Sequence, residues 1–229
     1  MPLAWAEDVY LPIVFEDYPP YEYVEDGEVK GINLDIIREA FKRMGISPYF
    51  EPRPWKRALF QLKAGEILAL SSGFKSEKRM RFAYFPDAPL GMETNMVIVR
   101  SDRGIVVDSL DDLRSITIGV VREYLYGEPF DSMKGLRQKK GKSSQQLLSM
   151  LLEGRIDAAI GNKAVFRYLA EKQGKLDQIK FIHEVSSEPL YLMFSVKHGS
   201  KARNLARDFG AAVNEMIKDG TFAAIEAKY

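Results

Sequence analysis

The sequence predicts an α/β protein of two lobes joined by two long strand crossings. Three observations predict it. Short apolar runs alternate with amphipathic helical patterns in a β-α-β-α-β series that ends near Leu70. A second β-α-β-α series runs from Ser109 to Ile182. Two long strand-like segments, Met92 to Val99 and Tyr191 to Val196, follow the first and second series, and helices return after the later one. This organisation places lobe 1 at residues 7–98 plus 194–229 and lobe 2 at residues 99–193. The two series do not align residue for residue, so no internal repeat is assigned.

Val9 to Phe15 alternates and reads as a strand. The prolines of Glu16-Asp17-Tyr18-Pro19-Pro20-Tyr21 cannot continue a ladder, so that stretch is a loop. Asp26-Gly27 between apolar neighbours is a hairpin turn. Ile32, Ile36, Ile37, Ala40, Phe41 and Met44 share a helical face that Gly45 ends. Tyr49 to Glu51 is a strand, Pro54 opens a helix through Leu62 that Gly65 ends, and Ile67 to Leu70 is a buried strand. In the second series Ser109 caps a helix with acids in its first turn, and Ile116 to Val121 is a strand. Ser143 or Ser144 caps the helix through Glu153, and Arg155 to Ile160 is a strand. Asn162 caps a helix to about Gln173, and Ile179 to Ile182 is a short strand. Leu205, Phe209, Val213 and Met216 then mark a helix ended by Gly220, with a final short helix around Phe222 and Ile225.

Composition narrows the function classes. The chain has 229 residues with 33 basic against 32 acidic, so its balance gives no reason to expect nucleic acid or an anionic membrane as partner. The basic run from Arg137 to Lys142 reads as a solvated loop or edge strand. The absence of cysteine excludes disulfides, thiol catalysis and Cys-ligated metals. Two histidines, His183 and His198, on separate elements argue against a His-based metal site or a Ser-His-Asp triad. No metal or cofactor is therefore expected. Leu3-Ala4-Trp5-Ala6 before Glu7-Asp8 matches the small-x-small end of a secretory signal, with residues 1–6 as its remnant and Glu7 as the mature start. No run of 18 apolar residues occurs.

The stretch from Ser71 to Arg79 carries the candidate chemistry. Small hydroxyl residues and Gly73 leave the apolar run, and Arg79 falls in the first turn of the charged segment that follows. Backbone N–H groups, hydroxyls and a planar guanidinium in a small space suit a carboxylate, because the Arg fork binds both oxygens.

The order of motifs resembles the bacterial extracellular solute-binding proteins of the amino-acid type, family 3. Pro19-Pro20-Tyr21-Glu22-Tyr23 with Gly31-Ile32-Asn33-Leu34-Asp35 looks like that family's opening, and Gly65-Glu66-Ile67 is similar to its "GKID" turn. Ser76-Glu77-Lys78-Arg79, Phe85-Pro86-Asp87, Ile118-Gly119-Val120, Gly154 to Ala159, and Lys218-Asp219-Gly220-Thr221 with Lys228-Tyr229 follow in the family's order. The resemblance covers nearly all of residues 8–229. It implies a two-lobed periplasmic binding protein-like fold of type II with two hinge crossings. It also implies a ligand taken in the cleft between lobes that close on it. Carried over by position, Arg79 takes the ligand carboxylate, supported by Ser72 and Ser76 with Phe74 between them, while Tyr18 and Trp55 line the first lobe.

Two departures bear on the ligand. The second lobe of the family usually offers a Gly-Thr-Thr-like turn at a helix N-terminus, and Glu123-Tyr124-Leu125 stands there, with a helix start still expected. The family's aspartate for the ligand's α-ammonium aligns with Asn162, which cannot neutralise a cation. Either another acid compensates, with Glu16, Asp17 and Glu123 as candidates, or the ligand is not a plain α-amino acid. Arg122 beside the turn would favour a ligand with two acidic groups if it faced the cleft. The expected protein is thus a monomeric periplasmic receptor, not an enzyme, that captures a small carboxylate-bearing ligand for the membrane permease of an ABC importer. The alternatives are a cyclohexadienyl dehydratase-like enzyme using Arg79 and Glu123 as acid, and a ligand-sensing module.

Overall fold

The computed structural model describes residues 10–229. The signal-remnant reading at Ala6 and Glu7 lies outside the described residues. The chain divides into two compact units. Unit 1 comprises residues 10–17, 21–91 and 190–229, and unit 2 comprises Tyr18–Pro20 and Met92–Pro189. Besides the short excursion at Tyr18–Pro20, the chain changes unit at 91/92 and 189/190, where the sequence reading has 98/99 and 193/194.

Unit 1 opens with strand β1 (Tyr10–Phe15). Strands β2 (Tyr23–Glu25) and β3 (Glu28–Lys30) form the expected hairpin, with positive φ at Asp26 and Gly27 in its turn. Gly31 precedes helix α1 (Ile32–Arg43) at φ 133°, and a Cβ there would lie 2.3 Å from the Tyr21 carbonyl oxygen, so only glycine fits. Strand β4 (Ser47–Pro52) and helix α2 (Trp55–Ala64), the latter closed by Gly65 in the left-handed conformation, follow. Strand β5 (Ala69–Phe74), helix α3 (Glu77–Met80) and strand β6 (Ala83–Tyr84) complete the first segment. β5 corrects the sequence reading. The apolar Ile67 and Leu68 precede the strand, and Ser71 to Phe74 belong to it. Pairing decides this: Phe74 and Gly73 lie opposite Leu190 and Tyr191, and Leu70 and Ala69 opposite Met193 and Phe194, so the strand runs on through Ser71 and Ser72 at the irregularity between them, which hydrophobicity does not reveal.

Unit 2 takes in strand β7 (Gly91–Arg100), a 3-10 helix capped by the Ser109–Asp112 capping box, and strand β8 (Thr117–Val121). The basic run forms strand β9 (Arg137–Gly141), an exposed edge parallel to β8. Helix α4 (Ser144–Leu152) starts at the Ser143 cap. Strand β10 (Ala158–Asn162) lies later than expected, because Asp157 is held outside it by exchanging hydrogen bonds with Thr117. Helix α5 (Lys163–Lys172) follows. The two late strands of the sequence reading are one, β11 (Ile179–Ser195), which passes through the polar Ser186-Ser187-Glu188-Pro189 without a break. The helix start expected at Glu123 is not there: Arg122 and Glu123 form a turn with Glu123 at φ 65°, and the next helical residues are a short 3-10 turn at Phe130–Ser132.

The chain returns to unit 1 along the end of β11 into helices α6 (Gly199–Lys218) and α7 (Thr221–Glu226). The sheet of unit 1 has the order β4-β1-β5-β11, with β4, β1 and β5 parallel and β11 antiparallel to β5. Its core joins Phe15, Phe41, Phe194 and Phe209, with the Phe209 ring 5.2 Å from Phe41 and 6.2 Å from Phe194. In unit 2 the alternation of the strands splits the core into two layers. Val97, Val99, Ile118, Val120, Ala158 and Ile160 face one, and Ile98, Val121 and Ala159 face the other, against Leu147, Leu151 and Phe166. Because Phe209 ties α6 to both α1 and β11, Phe209→Ala is expected to lower the unfolding free energy by about 3–5 kcal/mol, read from chemical denaturation.

Candidate functional site

Unit 1 holds Arg79 in one orientation. Ser76 caps α3, its Oγ accepting from the Arg79 backbone N–H at 3.3 Å, and this fixes where the arginine leaves the chain. The residue is 4% exposed. Its Nη1 donates to the Phe74 carbonyl oxygen at 3.1 Å, and its Cζ lies 5.1 Å from the centroid of the Trp55 ring. Trp55, the first residue of α2, is itself buried. A guanidinium is a planar donor fork that stays charged at any working pH. Set over an aromatic face and tied to a carbonyl, it is pre-organised for a planar anion. The structure therefore brings Trp55, Phe74, Ser76 and Arg79 together, and it uses the Phe74 carbonyl and the Ser76 hydroxyl to position the arginine.

Ser72 belongs to a neighbouring polar network. Its hydroxyl donates to Glu22 Oε2 at 2.7 Å and accepts from Asn33 Nδ2 at 2.7 Å, and Ser71 also donates to Glu22. Glu22 and Asn33 are each 1% exposed. Ser72 sits at φ 62°, a conformation that costs a non-glycine residue roughly 1–2 kcal/mol and that this network holds in place. Sequence reasoning missed Glu22 and Asn33 as a pair. They lie 11 positions apart in a loop and a helix start, and nothing in the spacing signals that they meet at Ser72.

Unit 2 places Tyr18 and Tyr124 together. Their rings meet edge to face at 6.1 Å, and the Tyr18 hydroxyl donates to Glu93 Oε2 at 3.0 Å within the buried interior. Tyr124 continues into Tyr126 at 6.1 Å, and Tyr126 into Phe130 at 5.6 Å. The Asp131 carboxylate secures this turn by accepting from the Tyr126 and Gly127 N–H groups. A cavity of about 190 Å³ opens beside it, lined by Tyr124, Tyr126, Phe130, Asp131 and Lys140. Glu93 was not anticipated, and neither was Asn95. The available signal is the polar run Glu93-Thr94-Asn95 ahead of the apolar stretch Met96 to Val99 in one strand.

The remaining expected residues have other surroundings. Asn162 is buried, and its Oδ1 accepts from the Ala164 and Val165 N–H groups at 2.8 and 3.1 Å, capping α5. Arg122 and Glu123 are exposed. In unit 1 Glu16 is buried and Asp17 exposed. Among the described residues no group of three or more His, Asp or Glu could hold a metal ion, and no helix is long and apolar enough to cross a membrane.

Residues 13–229 match the family model of the bacterial extracellular solute-binding proteins, family 3. The chain is 28% identical over 222 residues to the histidine-binding periplasmic protein of Escherichia coli, covering 93% of this chain and 84% of that one. It is 28% identical over 232 residues to the arginine-binding periplasmic protein of Mannheimia haemolytica, covering 99% and 92%. Among solved structures, a histidine kinase sensor domain with similarity to periplasmic binding proteins superposes with a TM-score of 0.86 at 22% identity, covering 97% of this chain and 96% of that one. The fold is that of the periplasmic binding proteins. As the Asn162 oxygen serves α5, Asn162→Ala is expected to cost about 1 kcal/mol, whereas Asn162→Asp, an equally good cap, leaves the denaturation midpoint nearly unchanged.

Proposed function

The chain belongs to the bacterial extracellular solute-binding proteins, family 3, and from that premise we propose that it captures an amino acid or related small solute by its carboxylate. The observation that carries this reading is the buried Arg79 guanidinium, held over Trp55 and bonded to the Phe74 carbonyl. A cation in that setting is desolvated at a cost, and an anionic ligand group recovers it. The relatives named for histidine and arginine binding support an amino acid as the ligand class. We take the receptor to act as a monomer in the periplasm and to deliver its ligand to the permease of an ABC importer.

A receptor rather than an enzyme is supported by the surroundings of Glu123. A general acid works from a position that holds it against the reacting group. Glu123 is exposed on a turn. The periplasmic binding fold also serves a histidine kinase sensor domain, and a sensing module would take its ligand through the same arginine.

The test is calorimetric titration of the full chain with L-histidine and L-arginine. Arg79→Ala is expected to weaken the tighter of the two by ~100-fold or more, with the circular dichroism of the chain unchanged. Arg79→Lys keeps the charge but not the fork and recovers only part of the loss. Unchanged affinity in Arg79→Ala overturns the assignment. Phenylpyruvate formed from prephenate would replace the receptor by the enzyme.

A further inference from the structure

One basic segment of unit 2 has no part in the Arg79 cluster. No Asp or Glu occurs between Asp131 and Glu153, and Lys134, Arg137, Lys139, Lys140 and Lys142 fall in that interval. All of these cations are exposed. Arg137 and Lys139 donate to the main-chain carbonyls of Ser115 and Arg155, and among the described residues none of these cations forms an ion pair. The run lies along β9, an edge strand that pairs with β8 on one side only. The Gly141 carbonyl accepts from the Arg122 N–H just past β8, so it points toward that strand. Main-chain groups alternate in direction along a strand. Arg137 and Lys139 therefore point the same way as Gly141, and Gln138 and Lys140 turn their N–H and C=O groups to the open edge. Lys142, whose N–H is taken by Gln146 Oε1 at 2.7 Å, closes the open stretch.

The same two residues stand over a cavity. Lys140 lies opposite Val120 in the ladder, and Val120 faces the core layer of Tyr126 and Phe130. Gln138 and Lys140 share that face and line the cavity of about 190 Å³ with Tyr124, Tyr126 and Phe130. A cavity of about 150 Å³ already holds a benzene ring. We propose that the β9 edge takes up an extended acidic segment of a partner protein as an added strand, with one aromatic side chain of that segment seated in the cavity. Residues paired across a ladder point to the same face, so the residue opposite Gln138 or Lys140 points at the cavity. Its neighbours along the segment point to the face of Arg137 and Lys139, where carboxylates meet cations. Charge also decides against the other occupants. Lysines on an edge deter strands of like charge, so a second copy of β9 is kept away and an acidic strand is admitted. A lipid surface would use the cations but neither the open main-chain groups nor the cavity.

The full chain is titrated by calorimetry with a capped peptide that alternates glutamate with threonine around one central phenylalanine, which replaces a threonine. The peptide is expected to bind. Lysine in place of the glutamates is expected to weaken it by ~30-fold or more, and alanine in place of the phenylalanine by ~10-fold. Gln138→Pro removes a donor from the open edge without changing the charge, and it too is expected to cost ~10-fold. Should Gln138→Pro not fold, two N-methylated peptides read the same contact on the unaltered chain. Methylation of one alternate set of residues blocks binding and methylation of the other does not, and the set that blocks tells whether the added strand is parallel or antiparallel. Equal affinity of the glutamate and lysine peptides overturns the proposal. So does a glutamate peptide that fails to bind, or the same effect from both methylated sets. Co-sedimentation of the chain with phosphatidylglycerol vesicles, without peptide binding, replaces the partner strand by a lipid surface. Arg79→Ala is expected to leave the peptide's affinity as it is, so failure here and failure of the carboxylate reading are told apart.

Discussion

The guanidinium of Arg79 is the constraint around which unit 1 is arranged. A cation that is 4% exposed must be held by something, and the chain spends three separate elements on holding it. The start of α2 brings the Trp55 ring, the end of β5 brings the Phe74 carbonyl, and the cap of α3 fixes the arginine's own backbone. The position of β5 is critical to all of this. Its pairing with β11 carries the strand through Ser71 to Phe74 and so delivers the carbonyl to the place where the fork can use it. The neighbouring network of Glu22, Ser72 and Asn33 holds the strained Ser72 on the same strand, which stiffens the approach to that carbonyl.

Much of the fold was legible because its signals are local. The Asp26-Gly27 hairpin, the Gly45 and Gly65 stops, and the Ser143 and Asn162 caps each follow from one residue's backbone preference or one side chain's reach. Strand limits were less legible, because a strand ends where its partner ends. Hydrophobicity put a strand at Ile67 to Leu70, and register put it at Ala69–Phe74. The same cause turned two expected strands into the single β11, whose polar middle carries no apolar signal.

The candidate site shows the same division. Arg79, Ser76 and Phe74 are close in sequence, so their cooperation could be read from one stretch. Trp55 joins them through the packing of α2, and a motif order suggested it where spacing could not. Glu93 and Asn95 carry no distinctive signal because a polar run ahead of an apolar stretch looks like an ordinary strand with a wet end. Only burial separates the two cases: a wet end would expose them, and here both are interior. Asn162 has two readings in the sequence, a helix cap and the position of the family's ligand aspartate, and its Oδ1 serves the first by accepting two N–H groups.

Buried polar groups that lack partners connect stability to binding. Among the described residues, Asn33 Oδ1 in unit 1 and Asn95 Oδ1 in unit 2 are buried acceptors without a hydrogen bond, and Gln173 Nε2 at the end of α5 is a buried donor without one. Each orphaned acceptor costs the folded chain about 1–3 kcal/mol relative to a satisfied one. An apolar residue of similar shape would avoid that cost but would also lose the Asn33 Nδ2 bond to Ser72 and the long Asn95 Nδ2 contact with Ser186. Where a bound solute supplies a donor to such an acceptor, the penalty carried by a free protein is returned as affinity. The asymmetry also sharpens selectivity, since a solute lacking the donor leaves the acceptor buried and unsatisfied. In strand β7 Val97 to Val99 build the core of unit 2, Glu93 accepts from the Tyr18 hydroxyl, and Asn95 Oδ1 is buried without a hydrogen bond.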